Sequence, residues 1–252
     1  MKVMPLITLT TAILAAHSSW CWGQASDNDS ELAIGLIAYA EPSIYQGGSQ
    51  NEALLTYVEW EWQNWFFRDY SLGSYLAGGD NWYLSAAISF DAFGDVKRGG
   101  GAALEDMKKL DDIYTAEVSS GWFGSLGYLA LSYRQDISDN HGGGAAVVSY
   151  GYPLKLWEWR VDPHVSLTYA GSQVARYYVG VDAGEAKAGR PEYRPGRSFE
   201  YRAGVSLSRF FGESNRVFIG LNHRRLSSAL YKSLIVDRRY TWSVSAGYIY
   251  AF

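Results

Sequence analysis

Tyr240-Thr241-Trp242-Ser243-Val244-Ser245-Ala246-Gly247-Tyr248-Ile249-Tyr250-Ala251-Phe252 closes the chain and decides how the rest is read. Taken at every second residue, it puts Tyr240, Trp242, Val244, Ala246, Tyr248, Tyr250 and Phe252 on one face. Thr241, Ser243, Ser245, Gly247, Ile249 and Ala251 fall on the other. Side chains alternate across a strand, so this is one ribbon with an aromatic face and a small, mostly polar face. Its length suits a tilted strand crossing a bilayer, which takes about 9–11 residues. Aromatics near both ends fit the two interfacial girdles of a membrane barrel. An ordinary sandwich strand would also alternate, so the rest of the chain must decide.

The start of the chain points to export. Lys2 precedes an apolar run over residues 3–16, and small residues stand at Gly23 and Ala25. A basic start, a short apolar core and small residues before the cut describe a signal peptide over residues 1–25, leaving a domain over 26–252. Cys21 is the only cysteine, and Trp20 stands before it where lipidation needs a small residue. The mature chain is therefore expected to carry no disulfide and no cysteine-ligated metal.

Composition agrees with a barrel. Tyr (20), Trp (10) and Gly (27) are abundant and Pro (6) is scarce. Beyond the leader no apolar run reaches the length of a membrane helix. Barrel strands put only alternate residues into lipid, so modest mean hydropathy is compatible with membrane insertion. The net charge of −4 hides an asymmetry, with acids crowding the first half and arginines crowding residues 176–239. No dense basic run or nucleic-acid motif is present, so no nucleic-acid partner is expected.

Period-two segments dominate. They read as strands over residues 32–40, 53–62, 65–77, 82–91, 113–120, 123–134, 144–154, 157–170, 199–211 and 216–224, before the last ribbon. A turn of helix is expected within 102–110, and a polar loop over 180–198. Eleven such segments are visible. Single-chain bacterial barrels have an even number, so an antiparallel up-and-down transmembrane β-barrel of 12 strands is expected, with 10 as the alternative. The missing strand is expected between residues 53 and 77 or in the Gly-rich loop near 99–101. A soluble sandwich would show polar outward faces. Here the apolar faces are rich in Trp and Tyr, and the opposite faces carry Glu, Arg, Ser and Gly.

The lumen is the place to look for chemistry. Glu59, Glu61, Asp91, Glu117, Asp162, His164, Glu200, Arg202, Arg216 and Arg224 are expected to face inward. Closure joins the first strand to the last, so acids of early strands are expected to meet arginines of late ones, favouring a plugged barrel. His164 shares its face with Ser166 and Asp162. It reads as part of a lumen hydrogen-bond network rather than a catalytic triad, since neighbours along one strand face do not make one. The histidines show no metal-ligand spacing, and the glycine runs lack the Lys-Ser/Thr of a phosphate loop. No catalytic, cofactor or metal residue is assigned.

Several short motifs resemble those of the MltA-interacting protein / OmpV (MipA/OmpV) family of outer-membrane barrels. They are Ala40-Glu41-Pro42-Ser43-Ile44-Tyr45-Gln46-Gly47, Tyr177-Tyr178-Val179-Gly180-Val181, Glu185-Ala186, Tyr193 and Ser233-Leu234-Ile235-Val236. In the last of these, Leu234 stands where the family usually has proline. Gly247, Tyr248, Tyr250 and Phe252 resemble the C-terminal signal read by the barrel-assembly machinery, with Ala246 departing from it. The resemblance implies the outer membrane of a Gram-negative bacterium, a non-enzymatic scaffold, and a role in peptidoglycan assembly. It further implies as partners a murein lytic transglycosylase and a bifunctional murein synthase. A surface adhesin or antigen, or a small-solute channel, is the alternative. Outer-membrane lipid and lipopolysaccharide are expected partners, with Arg176, Arg190, Arg194, Arg197, Arg238 and Arg239 on outer loops as phosphate contacts.

Overall fold

The computed structural model describes residues 31–91 and 98–252. The leader reading, with Cys21, lies outside those residues, as does the side chain of Asp91. The strands are β1 Glu31–Pro42, β2 Gln50–Trp62, β3 Trp65–Arg68, β4 Ser71–Gly79, β5 Trp82–Asp91, β6 Ile113–Gly124 and β7 Gly127–Asp136. They continue as β8 Gly144–Gly151, β9 Leu154–Leu156, β10 Trp159–Ala170, β11 Ser198–Phe211, β12 Asn215–Leu226 and β13 Tyr240–Ala251. All belong to one antiparallel sheet that closes on itself, because β13 pairs with β1 from Ala33↔Ala251 to Ala40↔Val244. Strands β8 and β9 both pair with β10 and are separated only by Tyr152-Pro153, so together they make one pass of the wall. The wall therefore has 12 passes.

Four features differ from the sequence reading. Residues 65–77 are not one strand but two, folded back at Asp69-Tyr70, where φ is 52° and 58°. A two-residue hairpin loop with both φ values positive matches the twist of its flanking strands. This hairpin supplies the missing pass, inside the interval where it was expected. The turn expected near residues 121–122 lies instead at Ser125-Leu126, because the alternation of β6 runs unbroken through Trp122 to Gly124. The helix α1, Ser172–Val179, had no counterpart in the reading, and the helical turn expected over 102–110 is a single 3-10 turn, Ala102–Leu104. A second short helix, α2, spans Ser228–Tyr231.

Closure follows from the bilayer as solvent. Each backbone polar group left facing hydrocarbon costs several kcal/mol, so a sheet must satisfy its own edges. In β13 the aromatic face is exposed and Thr241, Ser243, Ser245, Ile249 and Ala251 are buried. The same division runs round the wall, with Ile34, Leu36, Leu72, Ile88, Leu131, Val165, Ile219 and Val244 outward. Short turns lie at one end, where Trp60, Trp62, Trp65, Trp82, Trp122 and Trp159 gather. Trp157 stands in one of these turns, 92 % exposed. That is the girdle expected where a barrel leaves the membrane. The C-terminus is at this end, and the long loops are at the other.

Candidate functional site

The outer end carries two layers of packed groups. The upper layer is a dome of four loops. Its buried core is Tyr45, Leu104, Met107, Val174, Ala175, Tyr178, Val179, Val181, Leu230, Ile235 and Val236, resting on Ala170 and Leu226 at the strand ends. Helix α1 presents Val174, Ala175, Tyr178 and Val179 to this core, the i, i+4 stripe that an amphipathic helix buries. Directed hydrogen bonds fix the loops to one another. Tyr45 Oη donates to Tyr178 O at 3.2 Å, and Ser233 Oγ donates to Val179 O at 2.6 Å. Tyr193 Oη donates to Ala229 O at 2.9 Å. Tyr45 also forms a β-bridge with Val236.

The dome edge is held by charge. Arg190 makes a two-pronged contact with Asp106, at 2.9 and 2.6 Å, and Lys187 adds a third at 2.9 Å. Hydrogen bonds from Arg190 and Lys187 hold the Asp106 carboxyl well below the usual carboxylate range, and Arg190 is itself raised, first by its bond to Asp106. A fork of this kind adds geometric specificity to the attraction. It also corrects one expectation: Arg190 is buried and engaged within the dome rather than presented to lipopolysaccharide.

Under the dome, a buried chain of polar groups crosses the seam that closes the barrel. Glu41 of β1 accepts from Tyr39 Oη at 2.6 Å and from Thr241 Oγ1 of β13 at 2.7 Å. Arg224 of β12 reaches Glu41 at 2.9 Å and Glu200 of β11 at 3.9 Å. Arg202 then holds Glu200 at 2.6 Å. An early acid and a late arginine do meet here, but the acid is Glu41, which the reading had left in a loop. Pro42 suggested a break; the alternation Ala33, Gly35, Ile37, Tyr39, Glu41 was the signal that carried through it.

The other lumen residues pair locally. Glu61 meets Arg68 at 3.5 Å and Glu117 meets Arg134 at 2.8 Å. Both are acid–base pairs from early strands, so the late arginines are not needed there; Arg68 and Arg134 had not been singled out. Glu59 accepts from Tyr57 Oη. Arg216 lies over Phe210 and Phe218, and Asp162 is buried. Towards the short-turn end the interior carries a ladder of rings, Phe66, Tyr75, Tyr83, Phe123 and Tyr128, with successive centroids 5.0, 5.9, 6.0 and 6.5 Å apart.

His164 is held between two partners. Its Nε2 lies 2.8 Å from Asn222 Oδ1 and its Nδ1 lies 3.1 Å from Asp162 O. The first contact passes over Gly204 of the intervening strand, where any Cβ would sit 2.1 Å from Asn222 Oδ1. Ser166 Oγ has no hydrogen-bond partner among the described residues, so nothing activates it as a nucleophile. Among the described residues no group of three or more His, Cys, Asp or Glu is placed to hold a metal ion.

Of the remaining outer-loop arginines, Arg176, Arg194, Arg197 and Arg238 are exposed. Arg194 contacts Glu192 at 2.5 Å. Arg239 lies over Tyr231 and Tyr240, with Arg225 over Tyr240 beside it. Arg225 and His223, which packs on Trp242, join this outward band and were not anticipated.

Comparison with known proteins gives the chain its relatives. A family model described as MltA-interacting protein MipA matches residues 34–252. A putative outer membrane protein YiaT of Escherichia coli K12 is 21% identical over 230 residues, covering 90% of this chain and 94% of its own. Outer membrane protein OmpV of Vibrio cholerae is 27% identical, covering 72% and 66%. The MltA-interacting protein of Escherichia coli K12 is 26% identical, covering 77% and 79%. Among solved structures, the NanC porin aligns at a TM-score of 0.44 with 9% identity, covering 86% of this chain and 98% of that one. The chain is an outer-membrane β-barrel: its sheet closes on itself, and relatives that match it are named outer membrane proteins.

Proposed function

Since the chain belongs to the MltA-interacting protein MipA family, we propose that it acts as an outer-membrane scaffold whose surfaces, rather than its lumen, do the work. One observation supports this above the others: the outer mouth is roofed by a packed dome and locked beneath by the Glu41–Arg224–Glu200–Arg202 chain. A conduit for solutes needs a wet path, and buried ion pairs with good geometry occupy the place where one would begin. The motifs on which the family resemblance rests, from Glu41 and Tyr45 through Tyr178 and Val181 to Ser233 and Val236, meet in this same region.

The partner proposed on the periplasmic side is a murein lytic transglycosylase, and through it a murein synthase. The name MltA-interacting protein of the Escherichia coli relative supports that choice. The short turns bearing Trp157 and Leu126 are the surface it would reach. No catalytic role is proposed, because both ring nitrogens of His164 are engaged. On the outer side, Arg176, Arg194, Arg197, Arg238 and Arg239 are proposed to meet lipopolysaccharide phosphates, and the barrel-assembly machinery is proposed to read Gly247, Tyr248, Tyr250 and Phe252. Crosslinking in intact cells from Trp157 and its neighbours, with mass spectrometry of what is captured, tests the scaffold reading. A transglycosylase recovered from wild type and lost in Trp157→Ala is expected. Capture of lipid alone would refute it.

A further inference from the structure

At the outer end of β12 the lipid-facing stripe changes character. It runs Ile219, Leu221, His223, Arg225, so two apolar residues give way to two basic ones. Beside it on β13 the outward stripe runs from Val244 through Trp242 to Tyr240. Register places Trp242 opposite His223 and Tyr240 opposite Arg225. Tyr201 of β11 stands opposite Arg225 on its other side.

Three basic side chains gather around one ring. The Arg225 guanidinium lies 6.0 Å and the Arg239 guanidinium 5.7 Å from the centroid of Tyr240. The His223 imidazole stacks on the same ring at 5.8 Å and 22°, and packs on Trp242 at 4.7 Å. Arg239 also lies 5.9 Å from the ring of Tyr231, the last residue of α2. Its place is fixed from the end of β12: Leu226 N donates to Arg239 O at 2.9 Å, and Arg239 Nε donates to Leu226 O at 3.4 Å. A guanidinium held over rings in this way keeps its other N–H groups for an outside acceptor.

The protein supplies no counter-charge on this face. Two carboxylates of the same rim, Glu41 and Glu200, are on the inner side, where Arg224 and Arg202 hold them. Among the described residues Arg225 and Arg239 form no ion pair. Like charges brought to one ring repel, and they repel more strongly beside lipid than in bulk water because the local dielectric is lower. A bound anion relieves that repulsion. Depth selects the anion: the group sits where the apolar stripe ends and the dome begins, at the level of the outer-leaflet headgroups. Tyr240, Trp242 and Tyr231 are 49, 58 and 42 % exposed, so the face is open to a ligand.

We propose that Arg225, Arg239 and His223, arranged around Tyr240, form a binding site for a phosphate group on the sugar of an outer-leaflet lipopolysaccharide. The site rests on the proposed contact of this end of the barrel with lipopolysaccharide, and places its specificity on the wall rather than on the loops.

Native mass spectrometry of the full chain in dodecyl maltoside micelles, titrated with diphosphoryl lipid A, tests it. Wild type is expected to retain one lipid. Arg225→Gln combined with Arg239→Gln should weaken retention about tenfold, through loss of charged hydrogen bonds. Arg176→Gln, Arg194→Gln and Arg197→Gln together should change it by less than about twofold, as solvated charges do. Tyr240→Leu keeps every cation but removes the ring that gathers them, and should weaken retention as well. If the double variant fails to fold, unchanged retention in Tyr240→Leu overturns the site. Equal retention of dephosphorylated lipid A, or of phosphatidylglycerol, would also overturn it, since the face would then hold acyl chains or any anionic lipid. A loss in the loop variant with none in the double variant would remove this site and leave the lipopolysaccharide contact standing. No retention by wild type would end both.

Discussion

Asp69 and Tyr70 hold the left-handed backbone on which the pass count depends. Asp tolerates that region because its short polar side chain hydrogen-bonds locally, whereas a β-branched residue meets its own carbonyl. Asp69→Val is expected to lower stability by about 1–2 kcal/mol, read as a reduced urea midpoint for unfolding from lipid vesicles. The same chemistry explains why the hairpin was hard to read. Asp-Tyr is not one of the usual turn pairs, and the alternation of residues 65–77 runs across it almost unbroken. Glu41 was lost for a related reason, since the proline after it reads as a loop. Glu41→Leu leaves Arg224 buried with Glu200, at 3.9 Å, as its one remaining carboxylate partner among the described residues, beside its hydrogen bond to Thr241 Oγ1 at 3.1 Å. The expected cost is about 3–5 kcal/mol, and adding Arg224→Met to the same chain should recover most of it. A single variant as stable as wild type in the same unfolding assay would show that water reaches the pair.

At the scale of elements, the strands were legible because a period of two survives a lipid-facing wall, where one side of every strand must be apolar. The loops were not, because their order comes from contacts distant in sequence. Residues 171–179 hold too few turns for a helical period to stand out, and α1 becomes definite only against Tyr45, Leu230 and Ile235. The loop after β7 is similar. The Asp136 carboxylate accepts from the backbone N–H groups of Ser138, His141 and Gly142 at 2.7, 2.7 and 2.8 Å. These bonds bring His141 against Tyr177 and Tyr178 in the dome. Burial lowers the His141 pKa below the ordinary 6.5, with the Asp136 charge opposing. The unfolded loop then takes up a proton before the folded loop does. The stability it contributes is complete above the ordinary value of 6.5 and declines as pH falls through the interval below it. Amide exchange in residues 137–143, corrected for intrinsic rate, should therefore quicken between about pH 7.5 and pH 5. His141→Gln should flatten that dependence; an equally steep profile in the variant would place the proton elsewhere.

Across the whole molecule, three packed features lie in order from the outer mouth to the periplasmic end, and under the proposed scaffold reading each of them obstructs the axis. The dome comes first, then the Glu41–Arg224–Glu200 chain, then the rings from Phe66 to Tyr128. Resistances in series add, so current is set by the tightest element and removing the outermost leaves the others in control. Wild-type chain in a planar bilayer is therefore expected to show no large, steady, ion-selective conductance. Replacing residues 172–197 by a short Gly-Ser turn is expected to leave it closed, although the dome is lost. A steady opening from that deletion alone would mean that the buried charges are hydrated and the rings stand apart, and the lumen would have to be treated as a gated channel. If both chains stay closed, movement along the barrel axis is blocked at more than one level.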